Sequence, residues 1–405
     1  MADDRRPAAD PSPSAAETTS PAADPSPSAA ETTSPAADPS PSAAETSPPA
    51  ADPSPPVPDG RRRAAWPAAT RDSAPYPLPR GPVPPPTGPR GRGVDRLTPE
   101  ARVWADVLAS VFPDVGGAVT DAAEARRILA RAPSSPGAPP SVGAVTDRSV
   151  PGPADAPDIP VRVYRPAVPG PAPTVVHLHG GGWVLGGLDL YDRTCRALCR
   201  AARAVVVSVD YRLAPEARFP APVEDAYAAL VWAGRHLGDL GGAAGPLVVA
   251  GDSAGGNLAV AAALLARDRH GPPLALQALA YPALDAARDT ASYRANAHGY
   301  YLTATHLRWF WEQYLGPGGD GGHPLASPLR ADLAGLPPAH VVTAGCDPLC
   351  DEGRAYVRAL RAAGVEAVDD HCPGMFHGFV GLADVLPEGR AALARLAAAI
   401  AVPLP

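Results

Sequence analysis

Val248-Val249-Ala250-Gly251-Asp252-Ser253-Ala254-Gly255-Gly256-Asn257-Leu258 decides how the chain is read. It opens as an apolar run of strand type and closes as the start of a helix. Between them lies Gly-x-Ser-x-Gly, with Ser253 at its centre. A serine on a sharp strand-to-helix turn has strained backbone angles, and its hydroxyl stands above the sheet. Side chains at Gly251 or Gly255 would collide with neighbouring backbone at such a turn. The helix starting behind Ser253 presents its positive end to any negative charge that develops there. Alone, the pattern also fits a glycine-rich turn with an incidental serine.

Outward from this stretch the pattern alternates. Thr174 to Leu178, Ala204 to Val209, Leu247 to Ala250, Leu276 to Ala280 and His340 to Ala344 read as buried strands. Helical stretches separate them, at about 192–202, 222–237, 256–268, 304–315 and 352–363. Continuous apolar strands alternating with helices specify a mostly parallel sheet covered on both faces, an α/β fold. Arg148 to Val150 and Ile159 to Tyr164 start the sheet as a hairpin. Folded structure is expected from about residue 93 to 405, with a helix opening at the cap Thr98 and a second over about Asp121 to Arg131.

Two stretches stand outside the alternation: the helical pair at about 95–135, and 285–330. The latter holds Tyr300, Tyr301, Trp309, Phe310, Trp311 and Tyr314, six of the 22 aromatic residues within fifteen positions. They fit the core of one helix. They also fit a cap over the carboxyl edge of the sheet, where open α/β sheets bind ligands.

Residues 1–92 differ in kind. Ala-Asp-Pro-Ser-Pro recurs with Asp10, Asp24, Asp38 and Asp52 at a step of 14 residues. Pro, Ala, Ser and Thr dominate, and almost nothing large and apolar is available to bury. Ordering entropy is then not offset, so a disordered, extended leader is expected.

A serine nucleophile needs a base, a group to orient that base, and donors for an oxyanion. His179-Gly180-Gly181-Gly182-Trp183 follows a strand directly, and its glycines allow close backbone approach; the amide of Ala254 complements it. Among ten histidines, His377 lies in a loop just past the strand-like run Ala367 to Cys372. Asp347 ends another strand, and Pro348 disfavours helix at Asp347 itself. Asp351 is its rival and is expected instead to cap the following helix. The order Ser253, Asp347, His377 is that of α/β-hydrolases. In this arrangement His377 takes the Ser253 proton, Asp347 holds the ring, and the amides of Gly181, Gly182 and Ala254 receive the oxyanion. No metal or organic cofactor is required.

The chain resembles the hormone-sensitive lipase family of esterases, the GDXG lipolytic enzymes of α/β-hydrolase fold-3. His179 to Trp183, Tyr211-Arg212-Leu213-Ala214-Pro215-Glu216, Gly251 to Asn257 (with Asp252), Asp347-Pro348-Leu349 and His377-Gly378-Phe379 carry the likeness. It covers about residues 95 to 400. It implies a helical cap, oxyanion donors on Gly181 and Gly182, and a structural His179. It further implies hydrolysis of carboxylic esters with short to medium acyl chains. A deacetylase of small acetylated metabolites would use the same chemistry. A ligand receptor on this fold would lack the histidine. The family's usual arginine after Asp-Pro-Leu is Cys350 here.

Composition excludes several other roles. The formal net charge is −7, and all 35 basic residues are arginine, a pattern we read as coding-sequence bias. Without a clustered basic face, nucleic-acid binding is not expected. The first residues lead into no apolar segment, and no run of about 18 apolar residues follows, so neither signal peptide, membrane span nor membrane partner is expected. The expected location is cytoplasmic. The expected partners are a small-molecule acyl ester and, for protein contacts, a second copy in a homodimer. Cys195, Cys199, Cys346, Cys350 and Cys372 read as reduced thiols packed as small apolar groups rather than metal ligands. The last three flank Asp347 and His377 in sequence and are expected near one site.

Overall fold

The computed structural model describes residues 96–132, 137–168 and 170–401. The expected leader, 1–92, lies outside the described residues. In chain order the elements are α1 (Pro99–Val111), α2 (Ala122–Arg131), β1 (Ala144–Val150), β2 (Ile159–Arg165), β3 (Thr174–Leu178), α3 (Leu188–Ala202) and β4 (Val205–Val209). They continue as α4 (Ala221–Arg235), α5 (Leu237–Leu240), β5 (Leu247–Asp252), α6 (Ala254–Asp268), β6 (Leu274–Ala280), α7 (Ala291–Ala295) and α8 (Ala304–Leu315). The last four are β7 (Ala339–Cys346), α9 (Cys350–Ala362), β8 (Ala367–Phe376) and α10 (Pro387–Ile400).

The eight strands form one sheet in the order β1-β2-β4-β3-β5-β6-β7-β8. β1 and β2 form the expected antiparallel hairpin, β2 pairs antiparallel with β4, and every later pairing is parallel. This is the α/β-hydrolase arrangement, with β5 at its centre. Strands β3 and β4 are buried along their whole length, as expected of apolar runs with helices on both sides.

Side-chain alternation along each strand divides the core in two. Val176, Leu178, Val249, Leu279 and Val341 pack with α4, α6 and α9. Val175, Val248, Ala250, Ala278, Ala280 and Val342 pack with α3 and α10. Ala254 through Ala266 of helix α6 are all buried, and all but Asn257 are apolar or glycine. It lies so close to the sheet that a Cβ on Gly255 would come 2.0 Å from the carbonyl oxygen of Leu178. A Cβ on Gly251 would come 2.3 Å from the carbonyl of Gly255. Both glycines are therefore demanded by backbone contact rather than by flexibility.

Helix starts follow local chemistry. Thr98 Oγ1 accepts from the amide of Ala101, and an Asp121 carboxylate oxygen accepts from Glu124, so both expected caps form. Asp351 departs from expectation. Leu349 occupies the cap position of α9, Asp351 lies inside the first turn, and its carboxylate accepts instead from the amide of Ser292 in α7 at 2.7 Å. Tertiary contact outweighs the local preference there. Neighbouring Glu352 is fully buried and accepts from the amides of Leu284 and Asp285 at 2.6 and 3.0 Å, which fixes the turn after β6. Burial pushes its carboxyl up to about 8.

Among the described residues no helix is long and apolar enough to cross a membrane.

Gly255→Ala should lose about 1–3 kcal/mol of unfolding free energy through overpacking against Leu178. Gly238→Ala in α5, where an added Cβ meets nothing within 4 Å, should change it by less than about 1 kcal/mol. Urea unfolding of both variants checks the pair. A second outcome concerns pH. Glu352 ionises near 8 in the fold and near its ordinary 4.5 when unfolded. The unfolded chain therefore holds fewer protons between those values, and this group's contribution to stability falls as pH rises across that window. Denaturation at pH 5, 6, 7 and 8 should show a shallower decline in Glu352→Gln than in the parent.

Candidate active site

The carboxyl ends of β5, β7 and β8 meet over the middle of the sheet. Ser253 stands between β5 and α6 with φ 55° and ψ −120°, a conformation costly for a residue with a Cβ. It is held there from several directions. Its amide donates to Ala280 O at 2.9 Å, and its carbonyl accepts from Asn257 and Ala283 at 3.1 and 3.2 Å. The side-chain amide of Asn257 donates in turn to the carbonyls of Ala283 and Ala326. The hydroxyl is thereby left to point above the sheet.

His377 follows the last residue of β8, and its Nε2 lies 2.9 Å from Ser253 Oγ. Its Nδ1 lies 2.7 Å from Asp347 Oδ2. Asp347 is fully buried, and its Oδ1 accepts from the amide of Leu349. A carboxylate only accepts, so Nδ1 of the ring carries the proton and Nε2 is left to accept from the serine hydroxyl. Three residues separated by as many as 124 positions form one hydrogen-bonded line.

The glycine loop faces this line. Gly181 and Gly182 have φ of 108° and 63°, which aims the loop backbone inward. Among the described residues the amides of Gly181, Gly182 and Ala254 have no hydrogen-bond acceptor. The amide of Gly180 is used otherwise: it donates to Asp252 Oδ1 at 3.0 Å. Asp252 also accepts from the Tyr191 hydroxyl at 3.0 Å, and burial raises its carboxyl to about 6.

His179 is fully buried, and burial pushes it down to about 4, so it is neutral. Its Nδ1–H donates to Gly180 O at 2.8 Å, and its ring stacks on Tyr211, whose hydroxyl donates to His179 O. Trp183 stacks on Tyr314 of α8 with centroids 4.2 Å apart and an interplanar angle of 3°. Arg126 of α2 donates to the carbonyls of Val184 and Ala214 and pairs with Glu216. The loop is thus clamped by both helical insertions.

A cavity of about 320 Å³ opens over Ser253. Leu108 and Phe112, Leu129, and Leu302, Leu307 and Phe310 line its outer part. They come from the two stretches that stand outside the strand–helix alternation. The same aromatic-rich segment also packs as core.

Several contributors carry no motif. Tyr281, just past β6, packs its ring 4.7 Å from that of His377. Asn296 donates to the carbonyls of Gly345 and Asp347 and accepts from Arg96, tying the Asp347 turn to the start of the described chain. Only Tyr281 carries a sequence signal, its position just past a strand at the sheet's carboxyl edge. The three cysteines do not gather at the site. Cys346, Cys350 and Cys372 are buried and line no part of this cavity. Burial pushes the thiols of Cys350 and Cys372 up to about 12, which leaves them unreactive.

Known proteins resemble this chain in sequence and in fold. A family model described as the α/β-hydrolase fold matches residues 175–381. The chain is 48% identical over 245 residues to carboxylic ester hydrolase LipN of Mycobacterium tuberculosis, covering 59% of this chain and 65% of that protein. It is 47% identical over 249 residues to carboxylesterase NlhH of the same species, covering 60% and 78%. Among solved structures, the hyperthermophilic esterase of Pyrobaculum calidifontis superposes with a TM-score of 0.68 at 41% identity, covering 75% of this chain and 98% of that one. A thermostable esterase from Pseudomonas putida gives 0.71 at 36%, covering 77% and 99%. The chain belongs to the α/β-hydrolase fold family, in its hormone-sensitive-lipase-like group.

Proposed function

We propose that this protein is a serine carboxylesterase acting on esters of short to medium acyl chains. The observation that carries the reading is the Ser253–His377–Asp347 line, at 2.9 and 2.7 Å, facing unoccupied amides. Ser253 Oγ attacks the acyl carbonyl while His377 Nε2 takes its proton. Asp347 holds the ring and stabilises the imidazolium. The amides of Gly181, Gly182 and Ala254 bind the oxygen as it becomes negative, with the N-terminus of α6 behind them. His377 then returns the proton to the departing alcohol. Water, activated by the same ring, releases the acid from the acyl-enzyme.

His179, Gly180, Trp183 and Asp252 hold the glycine loop in this scheme and touch no reacting atom. Residues 93–405 carry the catalysis, with a cap from about 95–135 and 285–330. Its support is the apolar lining those stretches give the cavity. Residence in the cytoplasm belongs to the same proposal, supported by five cysteines that are all free thiols.

Ser253→Ala should abolish turnover of p-nitrophenyl butyrate while the circular dichroism spectrum and thermal midpoint stay close to the parent's. Persistent turnover would move the nucleophile elsewhere. Asp347→Asn leaves the ring unsupported in its working tautomer and should lower kcat by about three to four orders of magnitude. Steady-state kinetics on the same ester checks it; a loss under tenfold would remove Asp347 from the reaction.

A further inference from the structure

The lining of the cavity over Ser253 continues along the α3 and α10 side of the sheet, which we call its inner arm. Register shows why. His177 of β3, Ala250 of β5 and Ala278 of β6 stand directly opposite one another on adjacent strands. The row nearer the amino ends is Val175, Val248 and Leu276. Two methyl groups thus stand where the neighbouring row has larger side chains, and Ala280 continues the gap toward Ser253. Across it lie Thr194 and Leu198 of α3 and Leu393, Leu396 and Ile400 of α10. All of these line the same cavity as Ser253 and His377. Leu190 of α3 is also in the lining and is 52% exposed.

The walls are hydrocarbon with few polar groups. His177 is buried, and burial pushes it down to about 3, so it is uncharged. Both Asp252 oxygens are already bonded, to the Gly180 amide and the Tyr191 hydroxyl. Ala250 lies three residues before Ser253 on an extended strand, about 10 Å away and so about eight methylenes of an extended chain.

We propose that this inner arm binds one unbranched hydrocarbon chain of the ester, of about eight carbons, while the outer part under α1, α2 and α8 takes the other side of the substrate. The inference rests on the serine-esterase reading. An acyl chain and an alkyl alcohol share the chemistry that fits the arm, and the experiment separates them. Each methylene that leaves water there strengthens binding about fourfold.

Two variants reshape the arm in opposite senses: Ala278→Leu fills it, and Leu396→Ala widens it. Each is assayed for kcat/KM on p-nitrophenyl acyl esters from two to twelve carbons, and on acetates of alcohols from ethanol to decanol. In one of the two series, Ala278→Leu should lower the eight-carbon to two-carbon ratio at least tenfold, and Leu396→Ala should move the optimum to longer chains. The series that responds identifies the chain that enters. Unchanged ratios in both series for both variants would overturn the proposal, and Leu396→Ala keeps it refutable if Ala278→Leu fails to fold. Calorimetric binding of decanoate to Ser253→Ala, set against Ser253→Ala with Ala278→Leu, reads the arm without turnover. Equal affinity in the two also overturns it. Absence of turnover on every ester by the parent would instead sink the esterase reading.

Discussion

The amino end of α6 lies against the backbone at the end of β3 with no side chain between them. A Cβ on Gly255 would reach within 2.0 Å of the Leu178 carbonyl, so the helix can approach this closely only because the position is glycine. The approach sets the sharpness of the turn at Ser253 and hence its φ of 55°. That strain is held by a network of backbone bonds from Ala280, Ala283 and Asn257. It also brings the free amides at the start of α6 beside the glycine loop, which leaves β3 at the same level. The proposed nucleophile and oxyanion donors therefore both depend on one packing contact.

Buried polar groups do the remaining positioning, and each has a distinct task. Asp252 bonds to none of the side chains of Ser253, His377 and Asp347, yet its two bonds anchor Gly180 and Tyr191 beneath the glycine loop. Asp225, fully buried, pairs with the guanidinium and amide of Arg212 and holds the segment carrying Tyr211, on which His179 stacks. Glu352 braces the turn after β6. These carboxyls lie where an unpaired charge would cost several kcal/mol, so their partners matter as much as their presence. Burial keeps His179 neutral for the same reason that it raises Asp252: the low-dielectric interior disfavours the charged form of either.

The two faces of the sheet carry different packing. Toward α4, α6 and α9, valines and leucines of the strands meet the alanine-rich faces of α4 and α6. Toward α3 and α10, a row of alanines beside His177 leaves space that joins the cavity over Ser253. The helical insertions at about 95–135 and 285–330 both contribute to the cavity lining, and Arg126 and Trp183 couple them to the glycine loop.

Much of this was legible in the sequence. Apolar runs separated by helical periods specified the sheet and its helices, because buried parallel strands cannot alternate polar residues. Gly-x-Ser-x-Gly, the glycine triplet after His179 and the order Ser253, Asp347, His377 marked the candidate site, whose three side chains the fold brings into one hydrogen-bonded line. What the sequence left open depended on contacts between distant segments. Asp351 reads locally as a helix cap, but Ser292 of α7 takes its carboxylate. Cys346, Cys350 and Cys372 lie near Asp347 and His377 along the chain, yet they are buried and line no part of the cavity. Asn296 and Tyr281 carry no pattern, and only the meeting of α7 and the β6 end with the Asp347 and His377 turns gives them a role. The inner arm depends on strand register, a property of pairing that no single segment contains. Local patterning determined which elements form, whereas long-range packing decided which side chains meet, because contact energies are set by neighbours in space rather than along the chain.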